Sequence, residues 1–427
     1  MSSNATTHGL WEKTAPPAPV TSELNDLVQS DVVIVGGGFT GLSTSLHLAQ
    51  LGISAVVLES FDLGFGGSGR NVGLINGGMW VMPDDIPSVL GPVYGERCLK
   101  LLSEAPSLVR SIIEAHDIQC ELEKNGTLHL AVGQGGVQEI QERQRQWVSR
   151  GAPLEILDAE ETARRTGSSA YSGSLFDPRA GTLQPLAYVR GLAQAAMNAG
   201  ARIFHNSPVI EAQRQGDGWL VKTKKGSVVA KWVVVATDAY STGPWKIVRA
   251  EQVHLPYFNF ATAPLSDNLR KTILPNREGC WDTKEILSSF RMDQSGRLIF
   301  GSVGALRNTG HSVHEAWARR SLKKVFPQLG EVDFESAWFG HIGMTSDAVP
   351  RFHKFDENVI GFSGYNGRGI APGTTFGRVL ASYISGKMSD DELPLPTTEP
   401  KAQAFRALKE AYYELGAQVA HFTDVRL

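Results

Sequence analysis

Gly36, Gly38 and Gly41 are spaced as G-x-G-x-x-G within "DVVIVGGGFTGL", residues 31–42. Glycines in this pattern suit the cradling of a pyrophosphate. The first permits a tight turn, the second lets a phosphate approach the backbone, and the third lets a helix pack close on a strand. Phe39 and Thr40 open that helix, whose positive dipole end would face the phosphates. Glu59, followed by Ser60, stands 23 positions after Gly36, near the roughly 20-residue offset of a carboxylate that bonds a ribose hydroxyl. The same spacing recurs at Gly64, Gly66 and Gly69 in "GFGGSG", but "SFDL" before it is no buried strand, so this match fails the structural test.

The elements that must position these residues are legible around them. Val32 to Val35 is an unbroken β-branched run, the pattern of a strand buried on both faces of a parallel sheet. Leu42, Leu46 and Ala49 then recur at helical spacing toward Gly52, and "SAVVLES" reads as a second strand. The result is a βαβ unit. The next stretch, Gly64 to Gly78, is irregular and glycine-rich, unlike the contiguous second half of an NAD domain. Its glycines permit close approach to a flat ligand, and Arg70 and Asn71 add a cation and hydrogen bonds. Further on, "GWLVKTKKGSVVAKWVVVAT" predicts a hairpin feeding the strand Trp232 to Ala236, and "ILSSFRMDQSGRLIFGSVG" predicts an antiparallel pair. Pro372 and Gly386 bracket a late helix. Residues 1–27, with Pro16, Pro17 and Pro19, read as an extended arm.

At 427 residues the chain predicts two closely packed domains. Its 41 basic and 44 acidic residues leave a net charge of -3, which offers no footprint for nucleic acid. Cys98, Cys120 and Cys280 are at neither disulfide-framework nor metal-ligand spacing, so no metal is expected and reduced thiols in a cytoplasmic protein are. No signal peptide and no transmembrane segment is expected. His311 and His314 form an HxxH that reads as a solvated helix start.

The blocks "DVVIVGGGFTGLS…VVLES", "GFGGSGRN", "VVVATDAYS", "AWFGHIGMTSDAVPRF" and "GYNGRGIAPGTTFGRVLASYISG" together resemble the FAD-dependent D-amino-acid-oxidase superfamily, over nearly the whole chain from Trp11. Within it, "SGRN" and "GYNGRG" are most similar to γ-glutamylputrescine oxidases, with sarcosine, glycine and iminodiacetate oxidases close behind. The resemblance implies an α/β fold in which a Rossmann-like FAD-binding domain (28–80, 170–245, 335–390) interleaves with an antiparallel-sheet substrate domain (81–169, 246–334), ahead of a helical C-terminal extension (391–427). Carried over by motif, Gly36, Gly38 and Gly41 hold the pyrophosphate and Glu59 the adenosine ribose. Gly67, Ser68, Gly69, Arg70 and Asn71 line the path to the flavin, Val209 contacts adenine, and Ala236 and Thr237 flank the cofactor. Gly367, Arg368, Gly369 and Ile370 lie under the flavin pyrimidine. Val72 stands where relatives have a glycine, and Arg368 where many have histidine.

The implied activity is oxidation of a C–N bond in a small amine that carries a carboxylate, with O2 as acceptor. Arg368 could stabilise charge on a reduced flavin. Arg291, on the hairpin strand, is either a carboxylate-binding cation or a strand arginine in a surface salt bridge. His341 is either an active-site residue or a core histidine, and Tyr257, Tyr365 and Trp80 are candidate pocket walls. A flavin-dependent hydroxylase is disfavoured because "GFSGYNG" stands where it needs a Gly-Asp pair. A dehydrogenase passing electrons to a carrier and a non-catalytic flavoprotein both stay open.

Overall fold

The structure is a computed structural model that describes residues 8–424. Its first sheet is built on a parallel run in the spatial order Arg202–Phe204, Ala55–Leu58, Leu27–Val35, Ser227–Val235, Val359–Ser363. The valine-rich segments supply its centre. Ala55–Leu58, Val32–Val35 and Val233–Val235 are all buried, as expected of strands covered on both faces. Helices Phe39–Gln50 and Ile370–Ile384 lie against each other on one face of this sheet. The hairpin Glu211–Gln215/Gly218–Lys222 joins antiparallel to Ser227–Val235.

The second sheet runs in the order Phe334–Met344, Val253–Pro264, Arg297–Val303, Ser288–Met292, Gly279–Asp282, Thr127–Leu130, Ser174–Asp177, Glu155–Leu157. It is antiparallel except where Gly279–Asp282 pairs parallel with Thr127–Leu130. Two of its strands, Ser174–Asp177 and all but the first residue of Phe334–Met344, lie inside segments assigned from the sequence to the FAD domain. Both are hydrogen-bonded into the second sheet, so the chain changes layer later than the motif blocks suggest. One face packs Phe258, Phe290 and Phe300 against Trp317 of helix Thr309–Val325. The other face is turned toward the first domain.

Two sequence expectations need correction. The described part of the arm is not simply extended, since Leu10–Thr14 is a helix with Leu10 and Trp11 fully buried. Trp11 packs edge-on against Trp338 at 5.3 Å and donates from Nε1 to the Asn71 carbonyl. Residues 1–7 lie outside the described residues. His314 is not solvated. It is buried under the second sheet, its Nδ1 is 2.8 Å from His421 Nδ1, and its ring stacks on Phe258 at 4.9 Å. Among the described residues no helix is long and apolar enough to cross a membrane.

The His314–His421 contact needs at least one neutral ring to accept. Burial lowers the His314 pKa to about 4, against about 6.5 in an unfolded chain. Between those values the unfolded state takes up a proton that the folded state refuses, so stability falls as pH drops through that window. We expect a loss of about 3 kcal/mol from this residue between pH 6.5 and 4. Urea unfolding across that range should show a shallower pH dependence in His314→Leu than in the parent. Parallel curves would contradict the assignment.

Candidate functional site

The parallel strands end together, and their carboxyl edge is where an α/β sheet binds ligands. Gly36 has φ of +111°, which the turn requires and which glycine alone adopts easily. A Cβ at Gly41 would collide with the Gly36 carbonyl, and one at Gly38 would stand 2.8 Å from Ser68 Oγ. The helix begun by Phe39 has no side-chain cap, so its leading N–H groups face the turn. Ser68 Oγ accepts from the Phe39 amide at 3.2 Å, which draws the second glycine loop onto the first. Its neighbours Gly67 and Gly69 form a single 3-10 turn.

Glu59 closes the next strand and is half-buried beside Ser60. Its Oε2 accepts from the Gly37 amide at 2.7 Å and its Oε1 from Phe61 at 3.0 Å. Burial raises the carboxyl pKa, and these amides oppose the rise. Ser207 donates its amide to the Glu59 carbonyl, which brings Val209 to the same edge. Ala236 follows its strand into place by donating its N–H to the Val35 carbonyl at 2.9 Å, and Thr237 donates to Ser241 Oγ. An adenosine diphosphate fits this edge. It offers a bare helix terminus for phosphate, a carboxylate for ribose, and glycines where side chains would collide.

A second bare helix terminus lies alongside. Gly369 caps helix Ile370–Ile384 without a side-chain bond. Tyr365 OH lies 2.5 Å from Thr40 Oγ1 and ties the two termini together. The turn before it brings Gly367 close to Trp80 and Ile342, since a Cβ at Gly367 would lie 3.1 Å and 3.3 Å from them.

Arg368 leads from this turn into the second sheet. Its guanidinium carbon lies 5.0 Å from the Trp80 ring and 5.4 Å from the Trp281 ring. Nη1 donates to the Gly77 carbonyl at 3.0 Å, whereas Nε has no partner among the described residues. Burial, with Arg143 nearby, lowers its pKa to about 9, so it is charged at neutral pH. His129 stacks on Trp281 at 5.0 Å, and burial beside Arg143 and Arg368 holds its pKa well below the usual range, leaving a neutral ring. The carboxylate within this cluster, Glu139, is 3.3 Å from Arg143. The facing strands complete a wall. Ser289 pairs with Trp281 across the sheet, and its Oγ lies 2.7 Å from Tyr257 OH.

The structure therefore brings together Trp80, Tyr257, Gly367, Arg368, Gly369 and Ile370, with Tyr365 behind them. It sets Arg291 and His341 apart. Arg291 points to the same face as Ser289 but is buried beneath Trp11, with Nη1 bonded to Thr182 Oγ1 at 3.1 Å. His341 pairs with Pro256 and shares the opposite, helix-covered face with Phe339 and Phe258, its ring 5.5 Å from His254. Arg70 and Asn71 shape the glycine loop. Arg70 donates to the Phe65 carbonyl, and Asn71 donates to Gly67 and Ser68 and accepts from Gly73. Sequence reasoning missed Trp281, His129 and Ser289. The only signal for them was a polar or aromatic residue at alternate positions of short apolar strands.

Residues 31–383 match the model of the DAO family, described as FAD dependent oxidoreductase. The chain is 31% identical over 407 residues to γ-glutamylputrescine oxidoreductase of Escherichia coli K12, covering 92% of this chain and 94% of that one. Among solved structures, glycine oxidase from Geobacillus kaustophilus superposes with a TM-score of 0.69 at 19% identity, covering 85% of this chain and 96% of that one. Iminodiacetate oxidase from Chelativorans sp. BNC1 gives 0.68 at 15% identity, covering 87% and 100%. At those identities the two structures speak for the fold.

The glycine contacts give a direct test. Gly41→Ala should yield a folded protein by circular dichroism that purifies with little or no bound flavin, because its methyl displaces the Gly36 carbonyl from the turn. Gly52→Ala, at a positive φ but with open space around it, should keep the yellow chromophore. Equal flavin content in both variants would remove the turn from the site.

Proposed function

The chain belongs to the DAO family of FAD-dependent oxidoreductases, and from this premise we propose that it is an amine oxidase for small amines that carry a carboxylate. The observation that carries this reading is Arg368, a buried charged guanidinium between two tryptophans with one nitrogen unpartnered and no carboxylate of its own. A buried cation left without an anion is costly, and a substrate carboxylate would relieve it. The likeness to a γ-glutamylputrescine oxidoreductase makes a γ-glutamyl amine the first substrate to test. Short N-carboxymethyl amines such as iminodiacetate or sarcosine present the same pair of groups.

In this reading Gly36, Gly38, Gly41 and the helix from Phe39 hold the pyrophosphate of FAD. Glu59 holds its ribose, Val209 and Ala236–Thr237 flank it, and Gly369–Ile370 present the second helix terminus to the flavin. FAD held there would supply the redox chemistry, as acceptor for a hydride equivalent from the carbon beside the substrate nitrogen. The chain's own part is electrostatic and steric. Trp80, Trp281 and Tyr257 are the apolar surfaces that would exclude water from the bound amine. Arg368 and Arg143 place positive charge near the amine, which disfavours its ammonium form. Burial works in the same direction, and together they can bring an alkylammonium pKa of about 10 down by 3–5 units. No dedicated base is then required. The balanced reaction consumes amine, O2 and water and gives H2O2 and an aldehyde or oxo acid, with ammonia released from a primary amine or a shorter amine from a secondary one.

Anaerobic titration with γ-glutamylputrescine, sarcosine, iminodiacetate, glycine and D-amino acids should bleach the flavin with at least one carboxylate-bearing amine. Readmitting oxygen should restore the colour and release peroxide; slow reoxidation would instead indicate a carrier-linked dehydrogenase. Arg368→Met keeps the apolar volume and removes the charge. Loss of a buried charge-assisted pair costs about 2–5 kcal/mol, or at least about 30-fold in KM for such amines. A matched amine lacking the carboxylate should keep its KM, its rate profile alone moving to higher pH as the positive charge near the amine is lost. Equal effects on both amines would remove Arg368 from substrate binding.

A further inference from the structure

The C-terminal helix Arg406–Thr423 has two apolar faces, and the molecule uses one of them. Ala417, Ala420 and His421 are buried against the second domain, His421 stacking on Trp317 at 3.8 Å. The outward face carries Leu408, Tyr412, Leu415, Val419 and Phe422, with Phe405 just before the helix, all 61–78% exposed. Their spacing is 3, 4, 3, 4, 3. That alternation keeps side chains in one narrow stripe and is the seam of a two-helix coiled coil, whose knobs fit only another helix. A helix that merely covers a globular core shows a broader stripe, and that stripe faces inward.

We propose that this stripe is the interface of a homodimer, in which the helices of two copies cross antiparallel about a two-fold axis near Tyr413–Glu414. The spacing is self-complementary under that operation. Phe405 meets Phe422 of the second copy, Leu408 meets Val419, and Tyr412 meets Leu415, each contact occurring twice as an isologous interface demands. The flanking positions carry no opposing like charges. Lys409 falls opposite Gln418 of the second copy, and Ala411 and Gly416 let the backbones approach. The helix dipoles run in opposite directions.

The area is sufficient. The helix has 18 residues, about 27 Å at 1.5 Å per residue. An aromatic side chain buries about 150–250 Å², and Phe405, Tyr412 and Phe422 are each more than 70% exposed. With the three aliphatic residues the stripe approaches the roughly 800 Å² per partner of a standard interface. An exposed apolar patch on that scale marks an interaction site rather than ordinary surface.

Light scattering on the full flavin-loaded enzyme at micromolar concentration should give about twice the chain mass of 46.3 kDa. Leu415→Glu/Val419→Glu alters only exposed positions, so it should halve the measured mass with flavin content and amine oxidation unchanged. Under oxidising conditions, a mixture of Leu408→Cys and Val419→Cys chains should form a covalent mixed dimer, whereas neither alone should cross-link. A monomeric parent, or a dimer that survives the double glutamate variant, would overturn the proposal. So would a parent that stays monomeric and instead sediments with neutral phospholipid vesicles.

Discussion

Two helices that share one sheet face are held together where side chains are missing, and the site depends on that contact. A Cβ at Gly377 would stand 2.6 Å from Ser43 Cβ and 2.7 Å from the Thr40 carbonyl, and one at Gly373 would stand 3.1 Å from Thr40 Oγ1. Ser43 Oγ donates to the Thr374 carbonyl at 2.6 Å, so the close approach is also hydrogen-bonded. Packed this tightly, helices Phe39–Gln50 and Ile370–Ile384 bring two uncapped N-termini to the same edge of the sheet. Beyond the Phe39 amide that Ser68 Oγ accepts from, each presents unsatisfied N–H groups and the positive end of a dipole. A long dianionic cofactor with a second electron-accepting end answers both. The two motif blocks that carry these termini are more than 300 residues apart in the chain, and the packing of the helices fixes the distance between them.

The charge distribution of the site follows from its burial. Some arginines sit beside carboxylates, as Arg351 does with Asp347 at 2.7 Å and Arg214 with Glu357 at 2.5 Å, while Arg291 is buried with Nε and Nη2 unpartnered among the described residues. Pairs of that kind near the surface contribute little. In the pocket the balance is reversed. Glu139 is taken by Arg143, His129 is neutral, and Arg368 keeps its charge without a carboxylate. The aromatic rings beside Arg368 offset part of the desolvation through their negative faces, while leaving its in-plane nitrogens open to a planar anion. A lysine could not make the same compromise, because its charge is compact and more strongly hydrated.

The turns and helix ends that frame the candidate cofactor edge were legible because each part is local. Gly36, Gly38 and Gly41 act within one turn, Glu59 closes the next strand, and Gly369 precedes a helix that Pro372 and Gly386 delimit. The substrate half was not. Trp281 and His129 stack although they are 152 positions apart, and they meet only because Gly279–Asp282 pairs parallel with Thr127–Leu130, a register no local signal specifies. The two open readings of Arg291 also turned on a distant residue. Trp11 covers it from the N-terminal arm, which polar composition marked as extended. His341 depended on strand parity. Gly340 and Ile342 face Arg70 and Gly367 and His341 faces the other way, and a one-residue change in register reverses that assignment.

The facing wall uses the same device as the helices. Gly301 lies in the middle of a buried strand, where glycine ordinarily costs stability. A Cβ there would stand 2.5 Å from Asn259 Oδ1 and 2.9 Å from Tyr257 Cε1, so the gap lets the Tyr257 ring lie across the sheet and its hydroxyl reach Ser289. Gly340, in register with Tyr257, leaves room for Arg70 and Tyr240 in the same way, its absent Cβ being 3.2 Å and 3.4 Å from them. Side chains from the loops thus lie flat on a sheet whose own side chains have been removed at the points of contact. The wall is partly bare backbone where Gly301 and Gly340 lie.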